Sequence, residues 1–251
     1  MATEASVQRA CRLLSDLGGL FYFAPGTLEV AAQLGLGPSQ FYFLGRGGVL
    51  GDVDAGVVDS ALGYFATEVV AEYWDGGRAI VAPLEAARAH MRCCQAFGRQ
   101  HLSGDWLGPF CTAASAVLER ADPMALPLFA ALKSTPLADD LAARAMQLVL
   151  ELREWRGGVH LLAIVSTGLE PRMAHWLWRP DLWENFGYRP DDVPVVKEGD
   201  AERLEEADRL TDRLCLPAFD VLDDSATVHL EEGLHEIERQ LPAPEFPDDD
   251  E

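Results

Sequence analysis

Positive charge is what this 251-residue chain has least of: 20 Lys and Arg stand against 41 Asp and Glu, a formal net charge of −21. Long apolar runs are also missing. The longest, His160 to Val165, is far short of the ~20 residues that span a bilayer. The start, Met1-Ala-Thr-Glu-Ala, has no basic region leading into an apolar stretch, so no secretory signal is expected. Five cysteines, an odd number in no repeating pattern, exclude a disulfide framework and suit a reducing compartment. A cytoplasmic protein without a membrane partner is the expectation.

Several catalytic signatures are absent as well. There is no Walker A pattern, no Gly-x-Ser-x-Gly elbow and no internal repeat. The run from Gly45 to Gly51 has the spacing G-x-G-G-x-x-G and follows no strand of a βαβ unit, so it is no dinucleotide fingerprint; close helix approach is its expected use. The histidines show no zinc-like spacing with cysteine. Glu232 and His235 form one Glu-x-x-His pair, whereas helical di-iron sites need two such pairs. No metal site and no particular cofactor are expected.

What is present is organised by charge. Residues 181–251 carry 23 acidic against 6 basic residues, and residues 1–180 carry 18 against 14. Such an acidic segment repels phosphate, which speaks against nucleic acid and anionic membranes as partners. Part of that charge is expected to be solvated helix surface and tail.

Periodicity predicts an all-α fold. Helices are expected over 5–17, 27–34, 54–73, 83–102, 106–121, 124–132 and 138–156. Gly157-Gly158 is expected to break the last of these, and an apolar, buried helix to run over 160–167. A further helix runs from Pro171 to just before Arg179-Pro180, and acidic amphipathic helices cover 200–215 and 226–241. The texture changes near residue 180. This predicts a multi-helix N-terminal bundle over 1–180, a smaller helical region over 181–241 and a disordered acidic tail over 242–251.

Three segments together carry a family resemblance: Phe21-Tyr22-Phe23-Ala24-Pro25; Tyr42 to Gly51, followed by Val57-Val58 and Tyr64-Phe65; and Leu152 to Leu161, followed by Gly168-Leu169-Glu170. In order and spacing they resemble a family of mostly actinobacterial proteins with a helical N-terminal region and a C-terminal winged-helix-like region. The family has no settled biochemical activity, so the resemblance implies an architecture more than a reaction. Where relatives read Arg-Glu-His-Arg-Gly-Asp-Gly-His, this chain has Trp155, Gly158 and Val159 in place of the first His, the Asp and the second Gly. Between Gly187-Tyr188 and Thr211-Asp212 the region is shorter than in relatives. It offers one Lys (Lys197), two Arg (Arg189, Arg203) and no Asn or Gln for base contacts. The winged-helix-like part is therefore expected to be pruned and not to read DNA.

The candidate site residues follow from residue type. Arg46 and Arg156 could clamp a carboxylate or phosphate. His160 could hydrogen-bond or protonate a ligand, and is the tentative catalytic residue. Tyr22, Tyr42, Tyr64 and Trp155 could line an apolar pocket. The expectation is a small-molecule-binding helical protein that does not bind DNA, its acidic C-terminal part serving as a lid, a homodimer surface or a docking face for a basic protein. The alternatives are a metal- or thiol-dependent helical-bundle transferase or isomerase, for which His90, His160 and His175 would be the ligand set, and an accessory interaction subunit. A transcriptional regulator ranks last.

Overall fold

The structure, a computed structural model, describes residues 3–243; residues 244–251, most of the acidic tail expected to be disordered, lie outside the described residues. It is all α. Twelve α-helices follow one another, with no strand among the described residues: α1 Glu4–Leu17, α2 Pro25–Gln33, α3 Pro38–Gly47, α4 Ala55–Leu62, α5 Thr67–Arg78, α6 Pro83–His101, α7 Leu107–Arg120, α8 Pro127–Lys133, α9 Leu141–Ser166, α10 Pro171–Trp178, α11 Asp200–Phe219 and α12 Asp224–Gln240. Short side chains satisfy the orphan N–H groups at several starts. Thr3 and Ser6 form a capping box on α1, Asp140 accepts from the Ala143 N–H of α9, and Asp223 accepts from the Ala226 N–H of α12.

α9 is the axis. Helices α1, α6, α7, α8 and α11 all pack against it, and Met146, Leu148, Val149 and Leu152 are fully buried. The break expected at Gly157-Gly158 does not occur; α9 runs unbroken for 26 residues. The reason is tertiary. A Cβ on Gly158 would come within 2.9 Å of Leu126 Cδ2, so glycine admits a close neighbour here and the packing outweighs its low helix propensity. The stretch 160–167 is not wholly buried either: Leu162 and Val165 are exposed.

The opposite error occurs over 54–73, where one helix was expected and two form. Gly63 sits in the left-handed region (φ 75°) and closes α4, and Tyr64, Phe65 and Ala66 lead into α5. The glycine-rich stretch does serve close approach. A Cβ on Gly48 would lie 2.1 Å from the Pro83 carbonyl oxygen, and one on Gly45 would press into the His90 ring at 2.7 Å. In the acidic part, α11 and α12 pack on α1, α7 and α9, and Cys215, Phe219, Leu230, Leu234 and Ile237 join the same core as Leu14 and Phe110.

One ionic cluster is embedded in that core. Glu154 on α9 accepts from Tyr22 Oη (2.8 Å), Arg46 Nε (3.2 Å), Arg46 Nη2 (2.9 Å) and Arg153 Nη1 (2.7 Å). The two guanidinium groups outweigh the cost of burial and hold the carboxyl down at about 2. One turn earlier, Glu151 is equally buried, receives only the Gln147 amide (2.8 Å), and has no partner on Oε2. Burial dominates there and pushes its carboxyl up to about 7.

Two predictions follow for stability. Gly98→Ala, whose Cβ would lie 2.4 Å from the Ala142 carbonyl oxygen, should cost about 1–3 kcal/mol in chemical denaturation by forcing α6 off α9. An unchanged midpoint would show that the two helices can separate freely. The second concerns pH. Glu154 contributes stability that is present above its unfolded value and is lost as pH falls toward about 2, whereas the Glu151 contribution is full below pH ~4.5 and fades as pH rises through about 7. Glu151→Gln should therefore raise the denaturation midpoint at pH 8 and flatten the profile between pH 5 and 8. Glu154→Gln should lower the unfolding free energy at pH 7 by about 3 kcal/mol. Identical pH profiles for wild type and Glu151→Gln would refute the assignment.

Candidate functional site

The break between α4 and α5 and the continuity of α9 together build a cleft of about 1330 Å³. One wall is the linker Gly63–Ala66, held down where the Ala66 N–H donates to the Phe186 carbonyl (2.9 Å) and Phe65 stacks on Phe186 with centroids 4.3 Å apart. The other wall is the second half of α9, where Arg153, Arg156 and His160 recur at helical spacing on one side. Gly157 lies among them, and a Cβ there would meet nothing within 4 Å. Exposed Leu162, Val165 and Trp178 line the cleft as well.

The anticipated residues divide sharply. Arg46 lines the cleft but is committed to Glu154 and to Tyr42 Oη, with its side chain only 11% exposed. Tyr22 is buried beside the same carboxylate and does not line the cleft, and its hydroxyl is held protonated by burial. Tyr42 does line it, partnered by Arg46. Trp155 does not: it faces away from the cleft, buried between Phe129 and Phe219, and is a core residue. Its place on α9, one residue after Glu154, turns its ring to the side where α8 and α11 pack.

Tyr64, Arg156 and His160 are the three that the cleft gathers. The Tyr64 and His160 rings stack at 6.4 Å, and both feel the Arg156 charge. Burial holds the Tyr64 hydroxyl protonated, and its Oη has no hydrogen-bond partner among the described residues. Burial, then Arg156, lowers His160 to about 4, so the ring is neutral at pH 7. His160 Nδ1 lies 3.0 Å from Thr211 Oγ1, tying α9 to α11. Of the other two histidines of the anticipated set, His175 lines the same cleft and His90 does not. His90 is sealed among Phe21, Tyr22 and Phe41, and burial lowers it to about 3. His175 packs against Phe186 in a tilted arrangement, with ring centroids 4.0 Å apart. Among the described residues no three His, Cys, Asp or Glu side chains are grouped to hold a metal ion.

A second surface was missed. α5, the four-residue turn Ala79–Ala82 and α6 succeed one another as helix, turn and helix, with Pro83 at the first position of α6, and both helices pack against α3. The outward face of α6 carries Arg88, Arg92, Arg99 and Gln100, with Glu85 the acidic member. Arg99 pairs with Asp140 at 2.8 Å, while Arg88 and Arg92 form no ion pair among the described residues. The signal was in the sequence: Arg at 88, 92 and 99 is the polar counterpart of the inward set at 87, 91, 94 and 97. Reading the helix only for its core hid it.

No helix of the described residues is long and apolar enough to cross a membrane. Comparison with curated proteins and with solved structures finds no match. Residues 7–190 match the model of a family described as a helix-turn-helix family. That finding overturns two expectations: that the chain does not bind DNA, and that nucleic acid is excluded as a partner. The exclusion came from the acid excess of residues 181–251, most of which lies past the end of the match. The span that matches is nearly balanced in charge and presents the arginines of α6 outward. With well over half of its 251 residues inside the match, the chain belongs to this helix-turn-helix family.

Proposed function

We propose that the protein binds nucleic acid through the outward face of α6, as a cytoplasmic regulator of the helix-turn-helix kind. The observation that carries this reading is the pair Arg88 and Arg92, one turn apart on the exposed face of a helix that follows a four-residue turn and without an ion-pair partner among the described residues. Free guanidinium groups on a helix face suit phosphate oxygens and base edges, and Gln100 adds an amide on the same face. The narrower kinship with the actinobacterial winged-helix-like family belongs to the same proposal, and rests on the three sequence segments. Five free, buried cysteines support the cytoplasm.

The net charge of −21 sets the character of the interaction. Acidic α11 meets α9 near His160, through Thr211, whereas α6 meets α9 near its start, through Gln95–Gln147 and Arg99–Asp140. Thirteen residues of helix separate Gln147 from His160, roughly 20 Å at 1.5 Å per residue. That exceeds the Debye length of about 8–10 Å near physiological salt, so the α11 charges beside His160 are largely screened from the α6 contacts at the start of α9, while α12 comes closer, its Gln240 bonded to Ser103 two residues past the end of α6.

Fluorescence anisotropy with a labelled duplex across 20–200 mM salt tests the proposal. Binding should weaken with salt, with a log–log slope of about −2 to −3 for two or three phosphate contacts. Arg88→Ala with Arg92→Ala should reduce that slope by about 2 and weaken binding at every sequence tested. A duplex that stays unbound at 20 mM salt, or a slope the double variant leaves unchanged, removes α6 as the contact surface.

A further inference from the structure

We propose that Tyr64, Arg156 and His160 form a binding site for a small organic monoanion, a carboxylate with a hydrogen-bond donor beside it and an aromatic or apolar body. The inference goes beyond the α6 reading and stands independently of it.

The argument begins with which cation is available. Four arginines line the cleft beside Arg189 at its edge: Arg46 and Arg153 are both bound to Glu154, and Arg172 is bound to Asp192. Arg156 is different. Its guanidinium forms no ion pair and no hydrogen bond among the described residues, and its Nε is buried without a partner. A buried donor left unmade costs about 1–3 kcal/mol, more when charged, so an arginine held this way is suited to an acceptor that arrives from outside. Tyr64 Oη, an unpartnered buried hydroxyl on the facing wall, is a second donor of the same kind.

His160 supplies the complementary group. The Thr211 hydroxyl gives its single proton to the Ala207 carbonyl at 2.7 Å, so it can only accept from the imidazole. The 3.0 Å contact is therefore Nδ1–H donating to Oγ1, and the neutral ring presents Nε2 as an acceptor. Two donors and one acceptor thus stand on facing walls, matching a carboxylate and an adjacent hydroxyl. Aromatic Tyr42, Phe65 and Phe186 line the same space and suit an apolar body.

Charge restricts the class further. Asp16, Asp208 and Asp212 all feel Arg156, and burial raises each of them. Asp16 itself lines the cleft, and Asp208 lies 3.7 Å from His160 Nδ1. A single guanidinium among three carboxyl groups favours one negative charge and disfavours a phosphate dianion.

Isothermal titration of the full chain at pH 7 with salicylate as the probe decides the matter. Salicyl alcohol serves as its neutral counterpart and inorganic phosphate as the dianion control. Saturable one-to-one binding of salicylate is expected, at least tenfold tighter than either control. Arg156→Gln should weaken it at least tenfold, the loss of a charge-assisted contact. Tyr64→Phe should weaken it about threefold or more while leaving the denaturation midpoint unchanged or raised, because Oη has no internal partner to lose; this variant decides if Arg156→Gln does not fold. The proposal is overturned by no saturable binding, by equal binding of salicyl alcohol or phosphate, or by affinity that survives the folded variants.

Discussion

Everything about the interior turns on the carboxylate of Glu154. Its two oxygens collect Arg46 from α3, Arg153 from its own helix and Tyr22 from the segment after α1, so one side chain ties together three stretches far apart in sequence. An isolated buried carboxylate would be prohibitive; with two guanidinium groups and a phenol it becomes tolerable. Removing the carboxylate leaves the rest unbalanced, because two cations without their anion repel each other in a medium that screens poorly. The cluster also decides what the cleft can offer, by withdrawing Arg46 and Arg153 and leaving Arg156 unclaimed.

Glu151 and Glu154 show how little sequence distance separates opposite outcomes. Both are buried on α9, three residues apart. One faces arginines and is ionised across the working range of pH. The other faces an amide and holds its proton up to about pH 7. Neither fate can be assigned from the string Glu-Leu-Arg-Glu, since both depend on which helix packs against each face. The neutral histidines follow the same rule: His90 and His160 are lowered chiefly by burial, and must charge on unfolding in acid.

The helices that stand on an unambiguous amphipathic stripe or a strong terminal signal were legible in the sequence. α1, α6, α7, α10 and α12 begin and end within a few residues of expectation, because Thr3, Pro83, Pro171 and Asp223 mark where orphan N–H groups need no helical partner or find one. α3 over Pro38–Gly47 was not expected as a helix at all, and two further misreadings turn on glycine. Gly63 was passed over inside an apolar repeat although it adopts φ 75°, and Gly157-Gly158 was taken as a break although it stays helical. Glycine permits either outcome, and the choice is made by neighbours such as Leu161 against Gly63 and Leu126 against Gly158, invisible to local pattern. These same two places make the cleft. Tyr64, Arg156 and His160 could be named from residue type, but Trp155 could not be told apart from them, since its burial depends on Phe129 and Phe219 from other helices.

Charge is where summing over a segment misleads most. A net of −21 is a property of the whole molecule seen from beyond a few Debye lengths, and a ligand at a surface feels the groups within one. Some of the carboxylates of α11 and α12 are matched locally: Glu206 by Arg209 and Arg213, Glu236 by Arg239, Asp200 by Arg203. Conversely, α6 belongs to a region that is acidic on balance yet turns three arginines to solvent, two of them without ion-pair partners among the described residues. Attraction or repulsion at a given face therefore depends on which charges are already neutralised by a neighbour and how far the others stand. By that measure Arg88, Arg92 and Arg156 are among the cations left without an ion pair among the described residues, two on an outward helix face and one inside a cleft. Those settings suit different ligands, a polyanion that lies along a surface and a single anionic group that enters a cavity.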